Sequence, residues 1–169
     1  MTTVKWKRVC CAVDLSEPSR IAMREAAGVA RRDGAELHLV HAVPRTVQSE
    51  SNVLVSSRGL LEAEAQEGTR ALAEFKKEAE SITGSAVRAE VVAGDAAAEV
   101  ARYAREHDAD LLVVGTHGRT GLARIAVGSV AERIVREAPC AVLVVRNCPT
   151  LEARAAARDD AEEAKLYRG

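Results

Sequence analysis

Apolar positions along this chain follow two alternating rhythms: short unbroken runs, and longer stretches repeating every three to four residues. Arg8 to Asp14 (RVCCAVD) is an apolar run too short for a helix, closed by an acid, and it predicts a strand buried on both faces. Ser16, Glu17 and Pro18 then predict a helix start, with Ala22, Ala26, Val29 and Ala30 as its apolar stripe and Arg31, Arg32 and Gly34 at its close. Glu36 to Val43 reads as a second strand, stopped by Pro44. Residues 44–58 are Ser-rich without a clean period and predict a long loop. From Gly59 a helical face takes over through Leu61, Ala65, Gly68, Leu72, Phe75 and Ala79, ending at Thr83 and Gly84. Ala86 to Val92 alternates Val87, Ala89 and Val91 with Arg88 and Glu90, as an edge strand does. Gly94 and Asp95 open a third helix with Ala97, Val100, Ala101 and Ala104 facing inward. Leu111 to Val114 is a fourth strand. A fourth helix has Val130, Ile134, Val135 and Ala138 as its apolar positions and is stopped by Pro139, and Ala141 to Val145 is a fifth strand.

Strands alternating with helices predict a parallel, doubly wound five-stranded α/β sheet with helices on both faces. Functional loops of such sheets lie beyond the carboxyl ends of the strands, where Asp14, Pro44 and Gly115 fall. Residues 1–148 are expected to form one domain and 149–169 an Ala-rich, charged tail, helical or disordered. Composition narrows this further. Aromatic residues are only 2% of the 169, so the core must be built from Val, Leu, Ile and Ala in thin, closely packed layers. A net charge of -1 gives no sign of nucleic acid or an anionic membrane as partner. No apolar run approaches the roughly 20 residues of a membrane span. The first residues show no signal-peptide core, and a cytoplasmic location is expected.

The chemistry concentrates between Asp110 and Arg146, where glycines fall as Gly115-x2-Gly118-x9-Gly128-Ser129 between a strand and a helix. Gly115 ends the strand and would allow a nucleotide close to the backbone. Gly118 suits a positive φ that exposes successive N–H groups. Gly128 and Ser129 open a helix whose N–H groups and dipole favour an anion, and Arg119 and Arg124 offer charge-assisted bonds to phosphate. Singly, each glycine is ordinary loop punctuation; the full spacing points to phosphate. Asp14 either accepts hydrogen bonds from a ribose or an adenine amino group, or caps the following helix. His38 and His41, three apart on one strand, point to opposite faces, and packed or solvated roles fit them and His117 better than catalysis. Cys10, Cys11, Cys140 and Cys148 form no C-x-x-C and read as small buried residues in a reducing compartment, with Cys148, beyond the last strand, open to a redox role.

From Arg8 to Arg146 the chain resembles the nucleotide-binding branch of the universal stress protein family. The run G-T-H-G-R-T-G-L-A-R-I-A-V-G-S carries the resemblance, with Ala12-Val13-Asp14 closing the first strand, Leu39-Val40-His41-Ala42-Val43 in the second, and Pro139-Cys140-Ala141-Val142-Leu143-Val144-Val145 at the end. It implies a Rossmann-like sheet of the adenine nucleotide alpha hydrolase kind. It also implies an ATP site, with Mg²⁺ or Mn²⁺. Ala12, Val13 and Asp14 would line adenine and ribose, and Ala42 would meet the adenine edge through its backbone. Val114 and Gly115 would lie beneath the nucleoside, and Gly118, Arg119, Gly128, Ser129, Val130 and Ala131 would surround the phosphates. A homodimer paired through Ala141 to Val145 is implied as well, acting as a nucleotide-dependent stress-response regulator. Ala42 stands where a larger aliphatic is expected.

Other nucleotide folds fit less well, because neither G-x-G-x-x-G after the first strand nor G-x-x-x-x-G-K-[ST] is present. The alternatives are a slow ATPase or self-phosphorylating enzyme, with Ser129 or Thr120 as acceptor, and a sensor of AMP or cyclic AMP. Against the enzyme stand the missing P-loop lysine and the lack of a placed general base.

Overall fold

The computed structural model describes residues 5–44, 54–116 and 128–146, with residues 54–67 described as backbone only. The elements run β1 (Arg8–Ala12), α1 (Glu17–Asp33), β2 (Glu36–Val43), α2 (Leu54–Thr83), β3 (Arg88–Ala93), α3 (Ala96–Glu106), β4 (Leu111–Gly115), α4 (Ser129–Glu137) and β5 (Ala141–Val145). All pairings are parallel, in the order β3-β2-β1-β4-β5. Helices α1 and α2 cover one face and α3 and α4 the other. The doubly wound α/β expectation holds.

The two-residue period of β1 divides the core. Val9 and Cys11 enter the layer under α1 and α2, while Cys10 enters the layer under α3 and α4. With so few aromatic residues the first layer closes on small side chains: Ala22, Ala26, Ala27 and Ala30 of α1 are essentially inaccessible. Phe75 of α2 is 1% exposed and fills the space between the two helices. The Arg20 guanidinium sits 4.3 Å from its ring centroid, and Glu78 accepts from both Arg20 and Arg24 at 2.5 Å.

Local signals set the helix ends. Ser16 caps α1 by accepting from the Ser19 N–H at 3.4 Å. Gly34 ends it at φ +67, a conformation that costs glycine little, and its N–H donates to the Ala30 carbonyl.

Three expectations need correction. The helix expected from Gly59 is already present at Leu54, so part of the Ser-rich stretch is helical. On α4, Val130 and Val135 are 44% and 50% exposed, and the buried positions are Ala131 and Ile134. The physical reason is that β5 is the last strand of the sheet, so among the described residues nothing covers that side of α4. On the opposite edge, Val91 is 41% exposed and Val92 turns inward against α3 instead.

Candidate functional site

The order β3-β2-β1-β4-β5 places the topological switch between β1 and β4, whose following helices leave to opposite faces. A crevice at the carboxyl ends of these two strands is where such sheets receive ligands. Its β1 wall is an Asx turn. The Asp14 carboxylate accepts from the Ser16 N–H at 3.1 Å and from the Ser16 hydroxyl at 2.5 Å, through Oδ1 in both cases. Leu15 between them has φ +64, an uncommon conformation for a branched apolar residue. Ser16, not Asp14, is therefore the helix cap; Asp14 supports the cap with one oxygen while its side chain stays half-buried.

Just before it, the Val13 N–H donates to the Val40 carbonyl at 2.9 Å, and the Val13 carbonyl lies 2.8 Å from His41 Nδ1. Val13 is 4% exposed and its side chain belongs to the layer under α1. A ligand at this residue meets main chain, and the N–H is already engaged. His41 is buried beside Gly68: a Cβ built on that glycine would stand 3.9 Å from His41 Nε2. It anchors the strand end that presents Asp14, a role its place in the sequence does not disclose. Ser16 is different: it stands at the predicted helix start, and the cap it forms is the one expected of a serine there.

The β4 wall is closed by Thr116. Its N–H continues the ladder to the Val145 carbonyl at 2.9 Å, and its carbonyl accepts from the Gly128 N–H at 2.8 Å. The chain thus leaves the sheet after Thr116 and returns to the same residue, where α4 begins. A Cβ on Gly128 would lie 3.1 Å from the Thr116 carbonyl oxygen, so glycine suits this approach. Having no side chain, Gly128 cannot cap α4, and its first-turn N–H groups receive no cap from that residue. Ser129 and Val130 are exposed there, while Ala131 is buried and could contribute only its main chain.

The remaining expected residues distribute as follows. Ala12 and Ala42 are half-buried, packed toward the layer under α3. Val114 is 5% exposed with its side chain in that same layer, so only its backbone faces the crevice end. At Gly115 the space a side chain would take is occupied by α1: a Cβ would meet the Pro18 carbonyl at 3.4 Å. Its lack of a side chain therefore serves helix packing as well as any ligand. Gly118, Arg119, His117, Thr120, Arg124 and Cys148 lie outside the described residues, as does the tail.

A cavity of about 420 Å³ also opens on the β5 side of α4, lined by Thr116, Glu132, Val135, Arg136, Val144 and Arg146. It neighbours the crevice at Thr116 but contains neither the β1 turn nor the start of α4. The β1–β4 crevice is preferred as the candidate site because it joins a carboxylate to a helix start that no side chain caps among the described residues. Among the described residues no group of three or more His, Cys, Asp or Glu is placed to hold a metal ion.

The family model described as the universal stress protein family matches residues 5–146. The chain belongs to that family. A universal stress protein of Methanocaldococcus jannaschii is 36% identical over 142 residues, covering 84% of this chain and 83% of the relative. The solved universal stress protein UspA from Lactobacillus plantarum superposes with a TM-score of 0.77 at 27% identity, covering 85% of this chain and all of that one. A universal stress protein solved in complex with cAMP shares the fold, with a TM-score of 0.63 at 24% identity over 86% of this chain and all of that one. Family membership and the parallel sheet agree with the reading from residues. Among the described residues no helix is long and apolar enough to cross a membrane.

Proposed function

We propose that this universal stress protein binds ATP in the β1–β4 crevice and acts as a homodimeric, nucleotide-dependent regulator. The observation that carries the reading is the return of the chain from Thr116 to Gly128. It sets the start of α4, which receives no side-chain cap from Gly128, at the end of β4, the strand neighbouring the one that leads into Asp14. Backbone N–H groups and the helix dipole favour phosphate oxygens there. Asp14 meets the ribose or the base amino group, Ala12, Val13 and Ala42 border the base, and Gly118 and Arg119 complete the phosphate side. A divalent ion, Mg²⁺ or Mn²⁺, fits only as a companion of the triphosphate, since the described residues offer Asp14 rather than a ligand cluster. When bound it neutralises phosphate charge. The fold is one that holds an adenine nucleotide in the relative solved with cAMP, and this favours cyclic AMP or AMP as the second reading.

For the dimer, β5 has an outer edge that no strand pairs among the described residues, and its sequence AVLVV carries no charge. Leu143 is 37% exposed beside that edge. Pairing β5 with its copy across a two-fold axis covers both.

Calorimetric titration of the purified protein with ATP and with cyclic AMP, after removal of co-purified nucleotide, tests the site. Tighter binding of ATP, abolished in Gly118→Ala/Ser129→Ala with fold and dimer intact, is expected. Absence of binding at saturating ATP would sink the reading, and tighter binding of cyclic AMP would replace it by the sensor. Phosphate release no faster than in the double mutant is expected for a binder rather than an enzyme.

A further inference from the structure

At the opposite end of the sheet from the crevice, His38 of β2 is 2% exposed. Its Nδ1 lies 3.2 Å from the Tyr103 hydroxyl of α3, and its ring meets those of Tyr103 and His107 edge-on at 5.9 and 5.6 Å. Tyr103 stacks on His107 at 3.9 Å, and His107 Nδ1 is 3.0 Å from the Tyr103 carbonyl. His38 Nε2 is buried with no hydrogen-bond partner; the nearest carboxylate oxygen, Glu36 Oε2, is 3.6 Å away and is shared with Arg8 at 3.2 Å. We propose that this three-ring cluster is a proton-operated latch, which fastens α3 to the sheet while His38 is neutral and releases it when His38 is protonated.

Solvation of the His38 ring drives the latch. A neutral imidazole satisfies Nδ1 with Tyr103 and tolerates an unpaired Nε2. An imidazolium carries a charge and a second donor into a site closed by two rings, with no hydrogen-bonded carboxylate in place. The charged and titratable neighbours are Arg8 and Cys10 of β1, Glu36 of β2, Arg88 and Glu90 of β3, Tyr103 of α3 and His107, which caps that helix. Cys10 and Arg88 stand opposite His38 in the two adjacent strands. Burial holds His38 below its ordinary value, with Arg88 and His107 acting in the same direction against Glu36. Tyr103 is pushed up to about 12, by burial first and then by Glu90 and Cys10, so its hydroxyl stays protonated. Of the two rings that cover His38, Tyr103 lies on α3 and His107 is the C-terminal cap of that helix, so exposing the face they cover means lifting the end of α3.

The sign follows from the lowered value. The unfolded or lifted chain binds a proton near pH 6.5 and the latched form does not, so the latch is at full strength above that pH and weakens below it. One unit lower, at pH 5.5, the closed-to-open ratio falls up to about tenfold. Amide exchange of Val100 to Ala104 in the full chain, corrected for intrinsic rates, should show this loss between pH 7.5 and 5.5 while α1 amides change less. In His38→Gln the pH-dependent part should vanish, the other histidines being shared with the wild type. Should that variant fold poorly, a proton NMR titration of His38 in the wild type and in Glu36→Gln decides instead. A midpoint below 6.5, lower still in Glu36→Gln, is expected. A midpoint at or above 6.5 would mean that Glu36 swings in and stabilises the charged ring, overturning the latch. Equal loss across α1 and α3, or a pH dependence surviving in His38→Gln, would overturn it too.

Discussion

Replacing Gly128 with alanine perturbs the closure of the candidate phosphate loop directly. At Gly128 the backbone has φ -55 and ψ 147, allowed for any residue, so the cost does not arise from strain. It arises from contact, because the new Cβ would lie 3.1 Å from the Thr116 carbonyl oxygen. That oxygen cannot readily retreat: Thr116 is 3% exposed and its N–H is tied to Val145. Alanine is also a poorer residue than glycine at the position before a helix. Mild overpacking and the weaker cap together amount to about 1–2 kcal/mol. For a domain of this size that lowers Tm by about 3–6 °C. Gly128→Ser separates the two contributions, since serine is at least as good an N-cap residue as glycine and keeps the Cβ contact. The expected order of Tm by calorimetry is wild type, then serine, then alanine, with ATP affinity reduced about tenfold in both variants, the equivalent of about 1.4 kcal/mol. Unchanged Tm and affinity in Gly128→Ala would refute the claim that the loop is pinched shut at Thr116.

Other substitutions test the supporting structure. Phe75→Ala should cost about 3–5 kcal/mol in urea denaturation and Phe75→Leu less than about 1.5, because only the former leaves a large void between α1 and α2. His41→Leu removes the partner of the Val13 carbonyl and should cost about 1–3 kcal/mol by the same assay, with weaker nucleotide binding because Asp14 loses its anchored strand end. Burial pushes both β1 thiols up, Cys11 to about 12, so each is almost wholly protonated at pH 8. Mass spectrometry after native alkylation at that pH should find Cys10 and Cys11 unmodified and find both labelled in denaturant.

How legible each part was in the sequence depended on whether its signal was local. The limits of β2 and β5 were readable because Pro44 stops one and Pro139 precedes the other, and both strands follow from short apolar runs. The start of α1 was readable because Ser16 and Pro18 act within one turn. The beginning of α2 was not, since its Ser-rich opening shows no apolar period from which to place a helix. On α4 the apolar positions Val130 and Val135 were visible but their direction was not, because direction depends on which strand ends the sheet. At the candidate site, Asp14 was singled out by its place at the end of an apolar run and Gly128 by the glycine spacing. The roles of His41 and Thr116 required knowing that β1, β2, β4 and β5 lie side by side. His38 and Tyr103 are 65 residues apart, and only the packing of α3 on β2 joins them.

The central place of β1 also fixes an order of assembly. Its register on one side reaches β2, from Val9 to Leu37, but on the other side it reaches β4, from Val9 to Leu111. During synthesis β1 to β3 can pair, with α1 and α2 covering one face, long before β4 exists. Until then Cys10, Val40 and Val92 form an uncovered apolar face, and one side of β1 is an open edge. Closing so distant a pair is slow relative to local pairing. The half of the sheet made first is thus the half that needs protection on the ribosome, and emergence of α3 and β4 ends that need.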